Sequence, residues 1–148
     1  MWKKPSKKRE KLLRIVLDTN VLISGLFFGG NPEKVLELWQ EKSINLLVSQ
    51  SILEEYDGVM TRLHKRTKRL TPTFLEKMMR TLAEDTIFIT PSHDVSLSRD
   101  LDDNKFINCA LSGAAFYIVS GDSDLLELHE VEGIQIVTAR DFLEKMGI

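Results

Sequence analysis

The chain is predicted to fold as a three-layer α/β/α sandwich around a central, mostly parallel sheet of about five strands. Three observations predict it. Five short apolar runs alternate with amphipathic segments along the 148 residues. Those runs are near-continuous rather than alternating, as expected of strands covered on both faces. The gaps between them are long enough for right-handed helical crossovers.

Taken in order, Arg14–Leu17 reads as the first strand, fed by Leu12 and Leu13. A helix is expected from Pro32 to about Lys42, with Asn31 as its cap and Pro32 in the first turn. Ile44–Val48 is the second strand, and a helix follows from Ser51 to about His64. Another runs from Thr73 to about Ala83, where Pro72 suits the first turn after a Thr71 cap. With the basic stretch to Arg69 between them, these two are expected to form a helical hairpin. Ile87–Ile89, Tyr117–Ser120 and Ile134–Val137 complete the strands, and helices are expected over Asn104–Ala115 and Ala139–Met146. No internal repeat, low-complexity tract or linker interrupts the pattern. The expected organisation is a basic N-terminal tail over residues 1–13 and one domain over 14–148.

A composition of 43% hydrophobic and 28% charged residues is that of a folded globular chain rather than a disordered one. The single cysteine, Cys109, excludes an internal disulfide, lies among Phe106, Ala110 and Leu111 as a small core residue, and fits a reducing cytoplasm. No apolar run approaches the roughly 18 residues a membrane helix needs, and the start MWKKPSKKREK lacks the apolar stretch of a secretory signal. The net charge of −2 conceals an asymmetry. Residues 1–14 hold seven Lys/Arg against Glu10 alone, and residues 62–70 hold Arg62, Lys65, Arg66, Lys68 and Arg69 with no acid. Two basic patches on an otherwise acidic body suit a polyanionic backbone gripped beside an acidic site; a solvated tail and a solvated helix end are the plain alternative.

The acids carry the chemistry. Asp18 ends the run Ile15-Val16-Leu17, and Asp122 follows Tyr117-Ile118-Val119-Ser120-Gly121. Carboxylates at the carboxyl ends of parallel strands face the crevice where open α/β sheets place ligands. Glu55 shares its helix face with Ile52 and Val59, in the apolar stripe completed by Tyr56 and Leu63, whereas Glu54 neighbours Gln50, Asp57 and Gly58. Glu55 is therefore expected to point inward and Glu54 to be solvated. Asp100, Asp102 and Asp103 crowd the start of the Asn104 helix; a cap needs only one, and a cation would relieve the repulsion among them. Asp18, Glu55, Asp103 and Asp122 gathered at the strand tips would make a hard, oxygen-rich site for Mg²⁺ or Mn²⁺, as a metal-dependent phosphodiesterase requires. Helix capping or an Asx turn competes as the reason for each Asp, and a boundary position for Glu55. Asp124 is a second candidate for a cap or an outer contact.

Other chemistries lack residues. His64, His93 and His129 are scattered without zinc-ligand spacing. No glycine-rich phosphate loop is present, and Ser24-Gly25 lacks the surroundings of a nucleophile elbow.

Three segments, LDTNVLISGLFF, VSQSILEEYDGVM and RDLDDNKFINCALSGAAFYIVSGDSDLL, resemble the PIN-domain ribonucleases from Arg14 to about Phe142. The match looks most like the toxin-like PIN proteins of prokaryotic toxin–antitoxin pairs. The resemblance implies Asp18, Glu55, Asp103 and Asp122 as catalytic metal ligands, Asn20 and Asp124 as accessories, and one or two Mg²⁺ or Mn²⁺ ions. It further implies hydrolysis of single-stranded RNA to 5′-phosphate and 3′-hydroxyl ends, with an antitoxin protein and a second copy of the chain as candidate partners. Phe116 departs from related sequences, which have a small polar residue or an acid there.

Three rivals stand beside this reading. A phosphatase using an Asp at the first strand tip wants a second Asp two positions on, where this chain has Asn20. A receiver-like phosphoacceptor wants a lysine after the fourth strand, and none follows. A non-catalytic scaffold, binding RNA or held by an antitoxin, would need the acids only as caps.

Overall fold

The computed structural model describes residues 12–67, 70–94, 96–98 and 100–148. The N-terminal tail to Lys11, with Lys68 and Arg69, lies outside the described residues.

Strand β1 (Arg14–Leu17) lies inside the sheet, and its apolar run explains why: Ile15, Val16 and Leu17 are fully buried. Each such side chain contributes roughly 1.5–3 kcal/mol on burial. The chain then forms helices α1 (Thr19–Phe27) and α2 (Gly30–Gln40), strand β2 (Asn45–Val48), helices α3 (Gln50–Thr67) and α4 (Pro72–Glu84), and the short strand β3 (Ile87–Phe88). A 3₁₀ turn, Leu101–Asp103, leads into α5 (Asn104–Ser112), with strand β4 (Tyr117–Val119) and the short helix α6 (Ser123–Leu126) after it. A hairpin of β5 (Glu130–Val131) and β6 (Ile134–Val137) precedes helix α7 (Ala139–Lys145).

The sheet order is β3-β2-β1-β4-β6-β5, parallel throughout except for the antiparallel β5–β6 pair. From β1 the chain builds outward through β2 and β3, then returns to β4 on the other side. The order thus reverses between β1 and β4, and a crevice opens at the carboxyl ends of these two strands. Their register pairs Leu17 with Val119, so the next residues, Asp18 and Ser120, stand together at its rim.

The predicted α/β architecture with a mostly parallel sheet holds, with six strands rather than about five. The extra one, β5, is two residues long and half polar, below what periodicity can register. Two helices, α1 and α6, were not expected from the sequence. In α1 the sequence TNVLISGLF is buried nearly all round, at Val21, Leu22, Ile23 and Gly25, so it carries no amphipathic period. Gly25 is what lets α1 and α2 pack: a Cβ there would meet the Leu36 side chain at 2.6 Å and the Pro32 carbonyl at 2.9 Å. The short α6 hangs on Asp122. Helix α2 begins earlier than expected, capped by Gly29 at φ 75° rather than by Asn31. Thr71 does cap α4, its hydroxyl accepting from Phe74 N–H at 3.1 Å, and α4 packs on α3 as the expected hairpin. Helix α5 stops at Ser112, short of Ala115, and lies against β1, β4, β2 and α3. No described helix is long and apolar enough to cross a membrane.

Candidate metal centre

Asp18 leaves β1 with its N–H bonded to Val119 C=O at 3.0 Å. It is 4% exposed. Its Oδ1 accepts from Asn20 N–H at 3.1 Å, capping α1, and its Oδ2 accepts from the Ser120 hydroxyl at 2.6 Å. Ser120 Oγ in turn accepts from Asp122 N–H at 2.9 Å. One hydroxyl therefore ties the tips of β1 and β4 together and fixes the Asp18 carboxylate. Burial raises the Asp18 pKa, the bonds from Ser120 and Asn20 work against that, and the charges of Asp122 and Glu55 add to the rise.

Across the crevice, Asp100, Asp103, Asp122 and Asp124 each bring a carboxylate oxygen within 4.8 Å of the others. Two of them act as N-terminal caps. Asp100 Oδ1 accepts from Asp102 N–H at 3.0 Å, starting the 3₁₀ turn, and Asp122 Oδ1 accepts from Asp124 N–H at 2.8 Å, starting α6. Asp103 behaves differently. It precedes α5 yet makes no side-chain cap bond, and its Oδ2 is buried with no hydrogen-bond partner. Burial first, then its bond to Asp122 and the charges of Asp122, Asp100 and Asp18, push its pKa up to about 7.

Glu55 approaches from α3. Its Oε2 accepts from the Thr19 hydroxyl, and its Oε1 lies 2.8 Å from Lys105 Nζ on α5. Glu54 is exposed and accepts from Gln50 Nε2 at 3.1 Å, so the two neighbouring glutamates divide as their helix faces predict. The next residue, Tyr56, is fully buried and donates its hydroxyl to Leu17 C=O, bracing the strand end that carries Asp18. Burial raises the Tyr56 pKa well above its ordinary value, so it stays a neutral donor.

A family profile of the PIN domain matches residues 14–124. The chain belongs to the PIN-domain family. It is also 34% identical, over 149 residues, to the uncharacterized protein MJ1680 of Methanocaldococcus jannaschii; the alignment covers 93% of this chain and 95% of that one. The PIN domain of T. brucei RRP44 has the same fold, with a TM-score of 0.50 at 13% identity over 93% of this chain and 82% of that one. PIN domains are typically metal-dependent nucleases, and the acid cluster fits that activity.

This PIN domain presents donors a hard divalent cation would take. The set is all oxygen, as Mg²⁺ and Mn²⁺ favour. A buried carboxylate oxygen without a hydrogen-bond partner is costly unless something positive meets it, and Asp103 Oδ2 is in that position. Of the residues singled out from the sequence, Asp103, Asp122 and Asp124 come together, joined by Asp100. Asp18 reaches Asp122 through Ser120. Glu55 lies outside the four-acid group, engaged by Lys105 and Thr19. Asn20 contributes its backbone N–H, while its side chain is exposed. Arg62, Lys65 and Arg66 lie along the far part of α3 toward solvent, about 10–16 Å beyond Glu55 at 1.5 Å per residue.

Sequence reasoning passed over Ser120, Asp100, Lys105 and Thr19. Ser120 carried a signal, as the polar residue that ends an apolar strand just before Gly-Asp. Asp100 was visible as one of three crowded acids, with nothing in the sequence to say which of them would cap and which would face a cation. Lys105 and Thr19 became legible once α1, α3 and α5 were packed together.

Proposed function

We propose that this PIN domain is a Mg²⁺- or Mn²⁺-dependent endoribonuclease of single-stranded RNA, acting as the toxin of a toxin–antitoxin pair. The observation that carries the nuclease reading is Asp103: buried, bonded to Asp122, short of a partner at Oδ2, and facing the three other acids at the sheet's switch point. Asp18, Asp103 and Asp122 would hold the cation, with Asp100 and Asp124 beside them and Glu55 at the edge. A bound divalent ion supplies Lewis-acid charge for the phosphodiester and lowers the pKa of water near it.

The remaining work falls to the chain's own groups. Ser120 holds Asp18 in one orientation by its hydroxyl, and Tyr56 fixes the backbone just before it. Lys105 and Thr19 hold the Glu55 carboxylate on one side of the crevice. Asp103, its pKa raised to about 7, holds a proton part of the time near neutral pH, and a bound cation would favour the deprotonated carboxylate. Arg62, Lys65 and Arg66, with Lys68 and Arg69 beyond them in sequence, form the basic segment proposed to meet flanking phosphates.

A non-catalytic scaffold would need the acids only as caps. Asp18, Asp100 and Asp122 are caps, but Asp103 has no such duty, which favours the enzyme. The deciding experiment incubates the protein with single-stranded RNA and DNA in Mg²⁺, Mn²⁺ or EDTA, beside Asp103→Asn. Metal-dependent cleavage of RNA that is lost in the variant supports the nuclease, and equal fragments in EDTA or from the variant refute it. The toxin role rests on the motif resemblance. It predicts that induced expression arrests growth and that co-expressing a neighbouring reading frame relieves the arrest.

A further inference from the structure

Next to the acid cluster, the described residues between Pro91 and Ser98 form a strap along α5. Two side chains of that helix pin it. Ser112 Oγ accepts from the N–H groups of Ser92 at 2.8 Å and His93 at 3.3 Å, and lies 3.2 Å from His93 Nδ1. Asn104 Oδ1 accepts from the N–H groups of Leu97 at 3.1 Å and Ser98 at 2.9 Å. The pins are about 12 Å apart along the helix. Between them, described strap residues, Ser51 of α3 and residues of α5 line a solvent-open cavity of about 520 Å³. That volume is in the range that takes a small organic ligand.

The lining is chemically mixed. Ser51, His93, Ser96 and Asn108 offer hydroxyls, an imidazole and an amide; Pro91 and Leu101 offer apolar surface, and Leu101 is 73% exposed. Among the described residues of this lining, Lys105 is the cation and Asp94 the acid. Such a set suits a neutral heterocycle and sugar better than a bare anion, which Asp94 and the neighbouring cluster would repel. The cavity adjoins the acids on two sides. Lys105 lines it and reaches Glu55 at 2.8 Å, and Ser51 stands one turn before Glu55 on α3. The 3₁₀ turn that begins with Leu101 ends in Asp103.

We infer that this cavity is a nucleoside subsite, seating the base and ribose of one nucleotide of the strand whose phosphate lies at the acid cluster. The inference rests on the ribonuclease reading. His93, its ring held by Ser112, offers a face for the base, as unstacked RNA bases commonly find on aromatic side chains. Asn108 lines the same cavity from α5. Lys105 marks where nucleoside and phosphate meet.

The test uses the full chain with His93→Ala, Asn108→Ala and the cavity-filling Ser51→Trp. Binding of a labelled single-stranded RNA is measured in EDTA, cleavage in Mn²⁺, and the melting temperature with and without Mn²⁺. His93→Ala and Asn108→Ala are each expected to raise the Kd and the KM about tenfold, the effect of roughly one lost contact, and Ser51→Trp, by occupying the cavity, at least as much. The value of kcat and the Mn²⁺-induced rise in melting temperature should stay near those of the unmodified protein. Ser51 is exposed, so Ser51→Trp keeps the test decisive if a replacement within the strap or α5 unfolds the protein. RNA binding and KM unchanged in folded variants would overturn the subsite alone. An unmodified protein that binds Mn²⁺ yet neither binds nor cleaves RNA would overturn the ribonuclease reading, and the subsite with it.

Discussion

Lys105 Nζ and Glu55 Oε1, fifty positions apart in sequence, meet at 2.8 Å with their side chains only 22% and 24% exposed. The pair locks α5 to α3 at the edge of the acidic crevice. Lys105→Met should leave Glu55 beside acids with only Thr19 to satisfy it, lowering the stability of the metal-free protein by about 1–3 kcal/mol. Losing a positive charge from the site should also tighten Mn²⁺ binding. Thermal melts and calorimetric Mn²⁺ titrations check both. An unchanged melting temperature would mean that the pair is only a surface contact.

Glu54 and Glu55 make an internal control. Glu55→Gln is expected to slow cleavage by roughly 10²-fold or more with the fold preserved, because its carboxylate faces the crevice. Glu54→Gln removes a solvated partner of Gln50 and should be nearly silent. Single-turnover cleavage assays separate the two, and equal effects would refute the division of helix faces.

The raised pKa of Asp103, about 7, predicts a pH dependence with a definite sign. Unfolded, its carboxyl titrates near the ordinary value of 3.8. Between these two values the native state holds a proton that the unfolded chain has released. Stability of the metal-free protein should therefore be highest at the acid end of this window, fall as pH rises, and level off above about 7. The raised pKa of Asp18 acts in the same direction. Mn²⁺ must displace the Asp103 proton, so its affinity should increase with pH across this range. Asp103→Asn should flatten the first trend and raise the metal-free melting temperature at about pH 8. Melts across pH decide it, and a slope of the opposite sign would count against a protonated Asp103.

Arg62, Lys65 and Arg66 are expected to bind backbone phosphate and take no part in chemistry. Each contact to a single strand contributes about −0.7 to the slope of log K against log salt. Replacing all three with Ser should flatten that slope while leaving the metal-induced thermal shift intact. Fluorescence titrations over a salt series measure it, and an unaltered slope would assign them to solvent.

The sheet was legible because its principal strands are buried on both faces and so read as unbroken apolar runs, as Ile15–Leu17 and Tyr117–Val119 do. The same rule hid α1: Val21-Leu22-Ile23 is equally unbroken, and periodicity cannot tell a buried helix from a buried strand. Glu130–Val131 was too short and too polar to register as an edge strand. Within the site, the inward direction of Glu55 came from spacing along its own helix. The approach of Asp100 to Asp122 depends on a 3₁₀ turn, and the pairing of Glu55 with Lys105 depends on helix packing. Neither leaves a local trace in sequence.

The cap bonds of Asp18, Asp100 and Asp122 bear on how this site should be dissected. These residues start a helix or turn with one oxygen and face the crevice with the rest of the carboxylate. Alanine at any of them would remove a cap, typically worth about 1 kcal/mol, along with a charge, so lost activity could not be separated from a loosened backbone. Asparagine keeps an acceptor for the same N–H while removing the charge, although at Asp18 it also puts an NH2 group where Oδ2 accepts from Ser120. Asp103 carries no cap, so alanine there is the cleaner deletion. A naturally silenced copy of this fold would therefore be expected to keep Asp or Asn at positions 18, 100 and 122 while position 103 drifts, and position 103 would be the more telling place to look for lost chemistry.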